Sequence, residues 1–179
     1  LWAYAKQFSI DKLKWVIPNG NTAQESIRNG LLALKEHCTQ EDIVVIHDGI
    51  RPMLDDFVLS DVIIQCQKHG NAVTALPYNE QIFIADDDFS TTAYIPRETL
   101  RRVSTPQAYP YGKLYWAYEK AFAEQVGIHA GTYANTLMVE LGERLYFSAG
   151  SDKNIKLTTK DDLELFKAYI KMDRDNWLK

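Results

Sequence analysis

The pattern most informative about the fold is a ten-residue stretch, Ile43-Val44-Val45-Ile46-His47-Asp48-Gly49-Ile50-Arg51-Pro52. It opens with four consecutive apolar residues without polar alternation, a pattern typical of a central strand covered on both faces in a parallel sheet. In α/β proteins, ligands bind outside the carboxyl ends of such strands. We therefore expect Asp48 and Arg51 to face a ligand, with a local salt bridge in a turn as the alternative.

Strands and helices alternate around this stretch. The apolar periodicity predicts the strands Leu13–Ile17, Ile43–His47 and Asn71–Pro77 and the helices Leu1–Phe8, Thr22–His37 and Asp55–His69, the last closed by Gly70. Short links between such elements imply right-handed crossovers. The sequence therefore predicts an α/β fold with a doubly wound, mostly parallel sheet.

The pattern changes after residue 80. Two short β-prone runs, Gln81–Ala85 and Thr91–Pro96, flank an acidic turn and predict a β-hairpin. A lone hairpin that exposes Phe83 and Tyr94 has little core of its own, so we expect an arm at about 79–104 that packs against a second subunit.

The remaining elements follow the arm. Ser104–Gln107 is typical of a loop that enters a helix. We predict the helices Tyr111–Glu124, Thr132–Leu141 and Thr159–Met172, the last with a capping box, and the short strands Leu145–Phe147 and Ile155–Leu157.

Composition excludes several classes of protein. The net charge of −4 argues against a nucleic-acid-coating surface, and no apolar run approaches the ~20 residues that span a bilayer. Cys38 and Cys66 lack partners at metal-ligand spacing, so we interpret them as reduced thiols of a cytoplasmic protein. The 179 residues predict one domain, and because they open on Leu1 without an initiator methionine, we expect a longer protein.

Other polar positions are candidates for chemistry. The turn Gly20–Ser26 joins a strand end to a helix start, where backbone N–H groups can cradle a ligand, although an ordinary turn capped by Thr22 explains it equally well. Lys156 lies in an apolar run, either because its ammonium reaches a partner or because it protects a sheet edge. His47 has no second histidine nearby, so we interpret it as structural.

Four ordered motifs carry a resemblance to a known family. They are the glycine turn with Gln24–Leu31, then His47–Pro52, then Thr105–Pro110, and finally Asn154–Thr158 before an Asp-Asp-Leu helix. In this order they resemble the cytidylyltransferases of the 2-C-methyl-D-erythritol 4-phosphate and D-ribitol 5-phosphate type.

The resemblance implies a homodimeric, Rossmann-like enzyme that transfers CMP from CTP to a polyol phosphate and releases pyrophosphate, with Mg²⁺ as cofactor. Family members begin with a first strand and a glycine-rich loop that holds the CTP phosphates. Nothing here matches that loop, so we expect it to precede Leu1, and we expect a chain that truly begins at Leu1 to be inactive.

The resemblance also implies roles for individual residues. Gly20 and Ser26 correspond to positions that recognise cytosine, while Asp48 and Arg51 correspond to the ribose, metal and substrate side. Thr105 and Thr132 match substrate-contacting threonines, and Lys156 matches a lysine that neutralises the reacting phosphates. Arg97 matches an arginine that the dimer arm sends into the partner's active site.

The sequence departs from the family pattern at three places: Ala23, Gln81 and the stretch Thr132–Asn135. Gln81 and Thr132–Asn135 lie where the resemblance places the polyol phosphate. Their departure from the pattern of the isoprenoid enzyme favours D-ribitol 5-phosphate or a related alditol phosphate as acceptor, for a surface polymer such as teichoic acid or capsule. The alternative acceptor is 2-C-methyl-D-erythritol 4-phosphate, for isoprenoid biosynthesis. A non-catalytic nucleotide-binding or dimerisation module is a competing hypothesis from a different class.

Overall fold

The structure is a computed structural model that describes residues 1–129 and 131–175. Its helices are α1 (Trp2–Gln7), α2 (Ala23–Leu34), α3 (Asp56–His69), α4 (Tyr111–Glu124), α5 (Ala134–Glu140) and α6 (Lys160–Asp175), with a 3₁₀ turn at Arg97–Thr99. Its strands are β1 (Ile43–Ile46), β2 (Ala72–Pro77), β3 (Ile82–Ile84), β4 (Ala93–Ile95), β5 (Arg101–Pro110) and β6 (Phe147–Ala149). None of the described helices is both long and apolar enough to cross a membrane.

The chain divides into two compact units. The helical unit comprises Leu1–Asp42 and Pro110–Arg144, and the sheet unit comprises Ile43–Tyr109 and the segment from Leu145 onward. The prediction that residues 1–179 form one nucleotidyltransferase domain stays a prediction.

The sheet unit is built on a four-stranded sheet with the order β1-β5-β2-β6. β2 pairs in parallel with β6, where Val73 lies opposite Phe147, and antiparallel with β5, where Ala72 lies opposite Ala108. The sheet is therefore mixed. Helix α3 covers it with the apolar side chains of Val62 and Cys66.

Strand β1 is less covered than its sequence predicts. All four of its residues are half-buried, and Ile43 and Val45 pack against the α3 core. The prediction of a central strand covered on both faces was wrong, because β1 lies at the end of the described four-stranded sheet, where β5 is its neighbour.

Strand β5 corrects the predicted loop at Ser104–Gln107. The register against β2 shifts between Val73 and Thr74, so that Thr105 and Pro106 have no Cα partner across the ladder. Proline donates no ladder hydrogen bond, and a bulge accommodates it within a strand. Pairing with β2 therefore extends the strand through a sequence that suggests a loop.

Two predicted strands are absent from the described structure. Leu13–Ile17 forms neither a strand nor a helix, and its Trp15, Val16 and Ile17 residues are exposed. Ile155–Leu157 forms a loop, in which the Leu157 N–H donates to the Ile50 carbonyl oxygen at 2.9 Å and does not join a ladder. Both are short apolar runs that lack a paired neighbour.

The predicted helices are confirmed, with ends shifted by a few residues. Their caps act as expected: the Thr22 side chain accepts the Glu25 N–H, and Gly70 ends α3 in the left-handed conformation with φ of 82°. At the start of α6, the capping box is also confirmed, because Thr159 and Asp162 exchange side-chain and backbone hydrogen bonds.

The predicted hairpin is confirmed as the antiparallel pair β3–β4, which forms a two-stranded sheet of its own. Phe83 lies opposite Tyr94, with ring centroids 6.4 Å apart, and both residues are largely exposed (59% and 61%).

The helical unit packs α2 and α5 against α4, around the buried side chains of Leu31, Leu114 and Leu137. Arg28 forms an ion pair with Glu119 at 2.9 Å, and its guanidinium lies 4.7 Å from the centre of the Phe122 ring.

Candidate active site

A turn after β1 holds the first two candidate residues. The Arg51 N–H donates to the Asp48 carbonyl oxygen at 3.0 Å, which closes the turn. The side chains also pair, with Arg51 Nε 3.0 Å from Asp48 Oδ2. Both interpretations of this stretch are therefore compatible with the structure, since a salt bridge exists and both side chains remain partly accessible.

A second cation joins this pair from a distant segment. Lys156 Nζ lies 3.4 Å from the same Asp48 Oδ2 atom, and the Lys156 side chain is one-third exposed. Of the two explanations for Lys156, the structure supports contact with an acidic partner, because the residue does not lie on a strand edge. One carboxylate thus faces two cations, and this trio carries an excess of positive charge.

Thr105 fixes the position of Asp48. The Asp48 N–H donates to Thr105 Oγ1 at 3.0 Å, and Thr105 is buried in the bulge of β5. The β5 bulge thereby brings Thr105, which the resemblance assigns to the substrate, into direct contact with the Asp48 turn.

A cavity of about 220 Å³ lies beside the cations. Arg51, Lys156 and Arg102 contribute positive charge to its wall, and Ser104 and Ser151 contribute hydroxyl groups. Arg102 also pairs with Asp152. A cavity with guanidinium, ammonium and hydroxyl groups suits a phosphorylated ligand that carries further hydroxyl groups.

Asp162 adds a negative charge to the cavity wall at neutral pH. The Thr158 and Thr159 N–H groups donate to its carboxylate, and these hydrogen bonds lower the pKa of Asp162 to about 2. The carboxylate is committed to capping α6, so it fixes the loop that follows Lys156.

The residues present fit a Mg²⁺ site in which substrate phosphate oxygens would supply the ligands that the protein does not. The described residues contain no group of three or more His, Cys, Asp or Glu side chains that forms an all-protein metal site. Mg²⁺ is commonly held by one or two carboxylates together with substrate phosphates. Asp48 supplies one accessible carboxylate, so it is the residue that would hold the ion.

His47 has a structural contact. Its Nε2 atom lies 3.0 Å from the Arg51 carbonyl oxygen, which can only accept, so Nε2 carries the proton. Its Nδ1 atom is buried without a hydrogen-bond partner in the described part of the chain. The contact supports the interpretation of His47 as scaffold for the turn.

The predicted cytosine-binding loop is closed on itself in the helical unit. The Gly20 N–H donates to Ser26 Oγ at 3.0 Å, and Ser26 Oγ donates to the Thr22 carbonyl oxygen at 2.9 Å. A Cβ atom on Gly20 would lie 2.2 Å from Glu25 Cβ, so the close approach of loop and helix requires glycine. The Asn21 N–H is likewise occupied by Glu25. These backbone donors therefore stabilise the loop.

Thr132 also lies in the helical unit and is buried. Its hydroxyl donates to the His129 carbonyl oxygen at 2.7 Å and accepts from Gln24 Nε2 at 3.2 Å. Because the Thr132 proton is committed, a substrate contact at this hydroxyl must come from a donor, such as a polyol hydroxyl.

Arg97 lies in the 3₁₀ turn after the hairpin and is exposed. Its Nη1 donates to the Asn79 carbonyl oxygen at 3.3 Å, a contact that stays within the predicted arm. Its role toward a partner subunit remains a prediction.

Two further residues shape the site. Asn154 contacts both Arg51 and Thr105. Gly150 begins the loop that carries Asn154, and a Cβ atom there would lie 2.7 Å from Leu76 Cγ and 2.9 Å from the Ala75 carbonyl oxygen. Sequence reasoning gave neither residue a role. The neighbouring sequence offers no distinct signal for Asn154, because Ser151, Asp152 and Lys153 precede it and are polar as well.

Comparison with known proteins identifies the family. The model of the family described as IspD, 2-C-methyl-D-erythritol 4-phosphate cytidylyltransferase, matches residues 2–172. A ribitol-5-phosphate cytidylyltransferase of Lacticaseibacillus paracasei is 58% identical over 96% of this chain and 73% of its own length. A 2-C-methyl-D-erythritol 4-phosphate cytidylyltransferase of Geobacter metallireducens is 31% identical over 93% of this chain and 70% of its own length.

The fold agrees with a solved structure. The crystal structure of 4-diphosphocytidyl-2C-methyl-D-erythritol synthase from Anaerococcus prevotii matches with a TM-score of 0.76 and 26% identity, over 94% of this chain and 77% of that one. This likeness confirms the predicted α/β fold class. The chain therefore belongs to the 2-C-methyl-D-erythritol 4-phosphate cytidylyltransferase (IspD) family.

Proposed function

We propose that this protein is a CTP-dependent cytidylyltransferase that transfers CMP to D-ribitol 5-phosphate or a related alditol phosphate and releases pyrophosphate. The observation that carries the proposal is the trio in which Lys156 and Arg51 meet the single carboxylate of Asp48. The 58% identity to a ribitol-5-phosphate cytidylyltransferase supports the acceptor.

The chemistry requires cations and needs no general base. The second pKa of a phosphate monoester is about 6, so the acceptor phosphate is mostly dianionic near neutral pH. One of its oxygens attacks the α-phosphorus of CTP, the bond from that phosphorus to the bridging oxygen breaks, and pyrophosphate leaves with the electron pair. Negative charge grows on the oxygens around the α-phosphorus, where Lys156 and Arg51 stabilise it.

Mg²⁺ is the proposed cofactor, held by Asp48 together with nucleotide phosphate oxygens. When bound, it would supply further positive charge at the phosphates. Gly20 and Ser26 keep their proposed role toward cytosine, and Thr105 and Thr132 keep theirs toward the acceptor. Removal of divalent ions with EDTA should abolish turnover, added Mg²⁺ should restore it, and Asp48→Asn should raise the Mg²⁺ concentration that half-maximal rate requires. Full turnover without Mg²⁺ would refute this part.

Pyrophosphate release from CTP, measured with the full-length protein and a panel of polyol phosphates, tests the reaction. We expect the highest kcat/KM with D-ribitol 5-phosphate. If no acceptor supports release, the proposed reaction is wrong.

The alternative acceptor is 2-C-methyl-D-erythritol 4-phosphate, which the description of the matching family model favours. A higher kcat/KM with this acceptor than with D-ribitol 5-phosphate would reverse the choice of substrate and leave the reaction class intact.

We also propose that the hairpin forms a homodimer and that Arg97 serves the partner's active site. The exposed Phe83 and Tyr94 side chains support the interface. Phe83→Asp should give monomers by sedimentation velocity, whereas Phe57→Asp, at an equally exposed phenylalanine on α3, should not. An unchanged dimer in the first variant would contradict the assignment.

Subunit mixing tests Arg97. If Arg97 acts across the dimer, Arg97→Ala and Lys156→Ala are each nearly inactive alone. Heterodimers of the two contain one intact site, so equal mixing should restore about a quarter of wild-type activity. No recovery after proven subunit exchange would place Arg97 in its own subunit's site or outside any site.

A cytoplasmic location remains part of the proposal. Cys38 and Cys66 form no disulfide in the structure, which supports a reducing compartment. Cell fractionation tests it, and recovery in a secreted fraction would contradict it.

A further inference from the structure

Asn154 lies among the proposed active-site residues and contacts two of them. Its backbone carbonyl oxygen accepts a hydrogen bond from Arg51 Nη1 at 2.7 Å. Its side-chain Nδ2 donates to the Thr105 carbonyl oxygen, also at 2.7 Å. The residue is 4% exposed and stands two positions before Lys156.

The first contact fixes the direction of the Arg51 guanidinium. Nε of Arg51 donates to Asp48 and Nη1 donates to Asn154, so two different groups hold the planar fork. A guanidinium held at two points has lost the freedom to swing about its long side chain, and it presents its remaining N–H groups in one direction. The Asn154 carbonyl oxygen is thus one of the two groups that orient this cation.

The second contact connects Asn154 to the β5 bulge. Asn154 holds the carbonyl group of Thr105, and the hydroxyl of the same Thr105 accepts the Asp48 N–H. A continuous chain of hydrogen bonds therefore runs from the Asn154 side chain through Thr105 to the backbone of Asp48.

The loop that carries Lys156 is anchored on both sides of that residue. Before it, the Asn154 N–H donates to the Ser151 carbonyl oxygen at 3.1 Å. After it, the Leu157 N–H donates to the Ile50 carbonyl oxygen, which lies within the Asp48–Arg51 turn. The position of the Lys156 backbone thus depends on residue 154 and on this turn.

An amide is not the side chain that stability alone would favour here. The Oδ1 atom of Asn154 is buried and has no hydrogen-bond partner in the described part of the chain. A buried polar atom without a partner destabilises the folded state. The Nδ2 contact to Thr105 is the interaction that accounts for an asparagine at this position, and functional sites are where such local costs are found.

We propose that Asn154 is a positioning residue, whose side chain locks the β5 bulge to the Lys156 loop and thereby sets the geometry of Arg51, Asp48 and Lys156. The inference rests on the proposed function, in which these three groups surround the reacting phosphates. Asn154 lines the cavity, but the role proposed for its side chain is to hold protein groups in place. It acts through Thr105 and through the Arg51 guanidinium.

Asn154→Ala removes the Nδ2 donor and frees residue 154 to move. We expect kcat for pyrophosphate release to fall by about tenfold to a hundredfold, the range associated with small misplacements of reacting groups. We expect the KM for CTP to change less than threefold. If Asn154→Ala does not fold, Asn154→Ser, whose hydroxyl can still hydrogen-bond in a buried site, replaces it in the same measurements.

Asn71 offers a matched control. It is also buried in the sheet unit, and its side chain also binds the backbone of another segment, since Oδ1 accepts the Tyr146 N–H at 3.1 Å. It precedes β2, whereas Leu76 near the other end of β2 lines the cavity. Asn71→Ala should lower the melting temperature and leave kcat unchanged. Equal losses of kcat in the two variants would overturn the proposal.

A double-mutant cycle separates positioning from general stability. If Asn154 acts through Arg51, Asn154→Ala should lower kcat much less in an Arg51→Ala background than in wild type. A structural role alone predicts the same loss in both backgrounds, and that result would overturn the proposal.

One readout does not depend on catalysis. The Arg51 Nε–H signal in a ¹⁵N–¹H correlation spectrum, assigned by its loss in Arg51→Lys, should be sharp in wild type and broadened or shifted in Asn154→Ala. An unchanged signal would overturn the proposal, whatever the activity. Absence of pyrophosphate release from wild type, with the signal altered as expected, would instead count against the proposed function alone.

Discussion

Two polar regions of the molecule differ in charge and in burial. In the helical unit, the Gln24 network consists of neutral side chains that are almost fully buried: Tyr118 donates to Gln24 Oε1 at 2.6 Å, and Gln24 Nε2 donates to Gly127 and Thr132. In the sheet unit, the Asp48–Arg51–Lys156 trio consists of charged side chains that remain 14% to 33% exposed.

This difference follows from the free-energy cost of burying each kind of polar group. Burial raises the pKa of Tyr118, so its hydroxyl stays a neutral donor inside the network. Burying the trio equally deeply would remove three charges from water at large cost. The trio keeps access to solvent, so an anionic ligand can approach it. The hydrogen bonds of the Gln24 network stabilise the packing of the helices, whereas the charged groups of the trio are accessible to a ligand.

The largest expected effect belongs to Lys156. Lys156→Ala should lower kcat/KM by about a hundredfold or more, or ~3 kcal/mol of transition-state stabilisation, because it removes a cation from the reacting phosphates. Steady-state pyrophosphate release measures it. Lys153→Ala, at an exposed lysine of the same loop, is the control and should be near wild type.

The same variant separates a catalyst from a nucleotide-binding module. If Lys156→Ala changed only the affinity for CTP in calorimetry and left turnover intact, the trio would be a binding site without a catalytic role.

The next effect concerns stability in the contrasting region. Gln24→Leu should lower the free energy of unfolding by about 2 kcal/mol, because it leaves the buried Tyr118 hydroxyl and Gly127 carbonyl without their partner. Urea denaturation measures it. Gln67→Leu, on the exposed side of α3, should stay within about 0.5 kcal/mol of wild type. Equal stability of Gln24→Leu and wild type would show that the network is not what holds these helices.

Thr105→Val should have a smaller effect, on activity. The change keeps the shape of the side chain but removes the oxygen that accepts the Asp48 N–H, so kcat should fall about tenfold, or ~1.4 kcal/mol. Thr74→Val is the matched control, because Thr74 is buried opposite β5 and its hydroxyl donates to the Pro106 carbonyl oxygen at 2.7 Å. We expect Thr74→Val to lower stability without lowering kcat. A larger kcat loss in Thr74→Val would contradict the assigned contact.

The smallest expected effect is the pH dependence of the α6 cap. Hydrogen bonds from Thr158 and Thr159 hold the pKa of Asp162 at about 2, below its ordinary value of 3.8. The stabilisation is therefore complete above pH 4 and is lost as the pH falls from 4 toward 2. Asp162→Asn should unfold at lower urea concentration than wild type at pH 7, and the gap should close at low pH.

Asp161→Asn is the control for the cap, because it removes one carboxylate from the same first turn of α6. A constant gap between Asp162→Asn and wild type from pH 7 to pH 2 would show that the cap does not act through the ionised carboxylate.

Local signals explain what could be predicted of the fold. Helix ends at Thr22, Gly70 and Thr159 follow from contacts within four residues, so the sequence contains the information for them. The bulge at Thr105 and Pro106 could not be predicted this way, because it depends on the register that distant β2 imposes.

The same division applies to the candidate site. Asp48 and Arg51 are three residues apart, and a turn after an apolar run brings them together. The apolar run around Lys156 marked that residue as a candidate, and the family resemblance gave it a role. Its contact with Asp48 crosses more than a hundred residues of sequence, so no local pattern predicts it. The role inferred for Asn154 depends on contacts to two other segments, which no local pattern specifies.

The sequence by itself determined the helices, their caps, the hairpin and the turn that pairs Asp48 with Arg51, because each depends on propensity and hydrogen bonds between near neighbours. The tertiary structure alone decided that Ser104–Gln107 is a strand, that Lys156 lies in a loop, and that Thr105 and Asn154 fix the trio. These features depend on pairing and burial between segments far apart in the chain, where a short apolar run or a single polar residue is compatible with several outcomes.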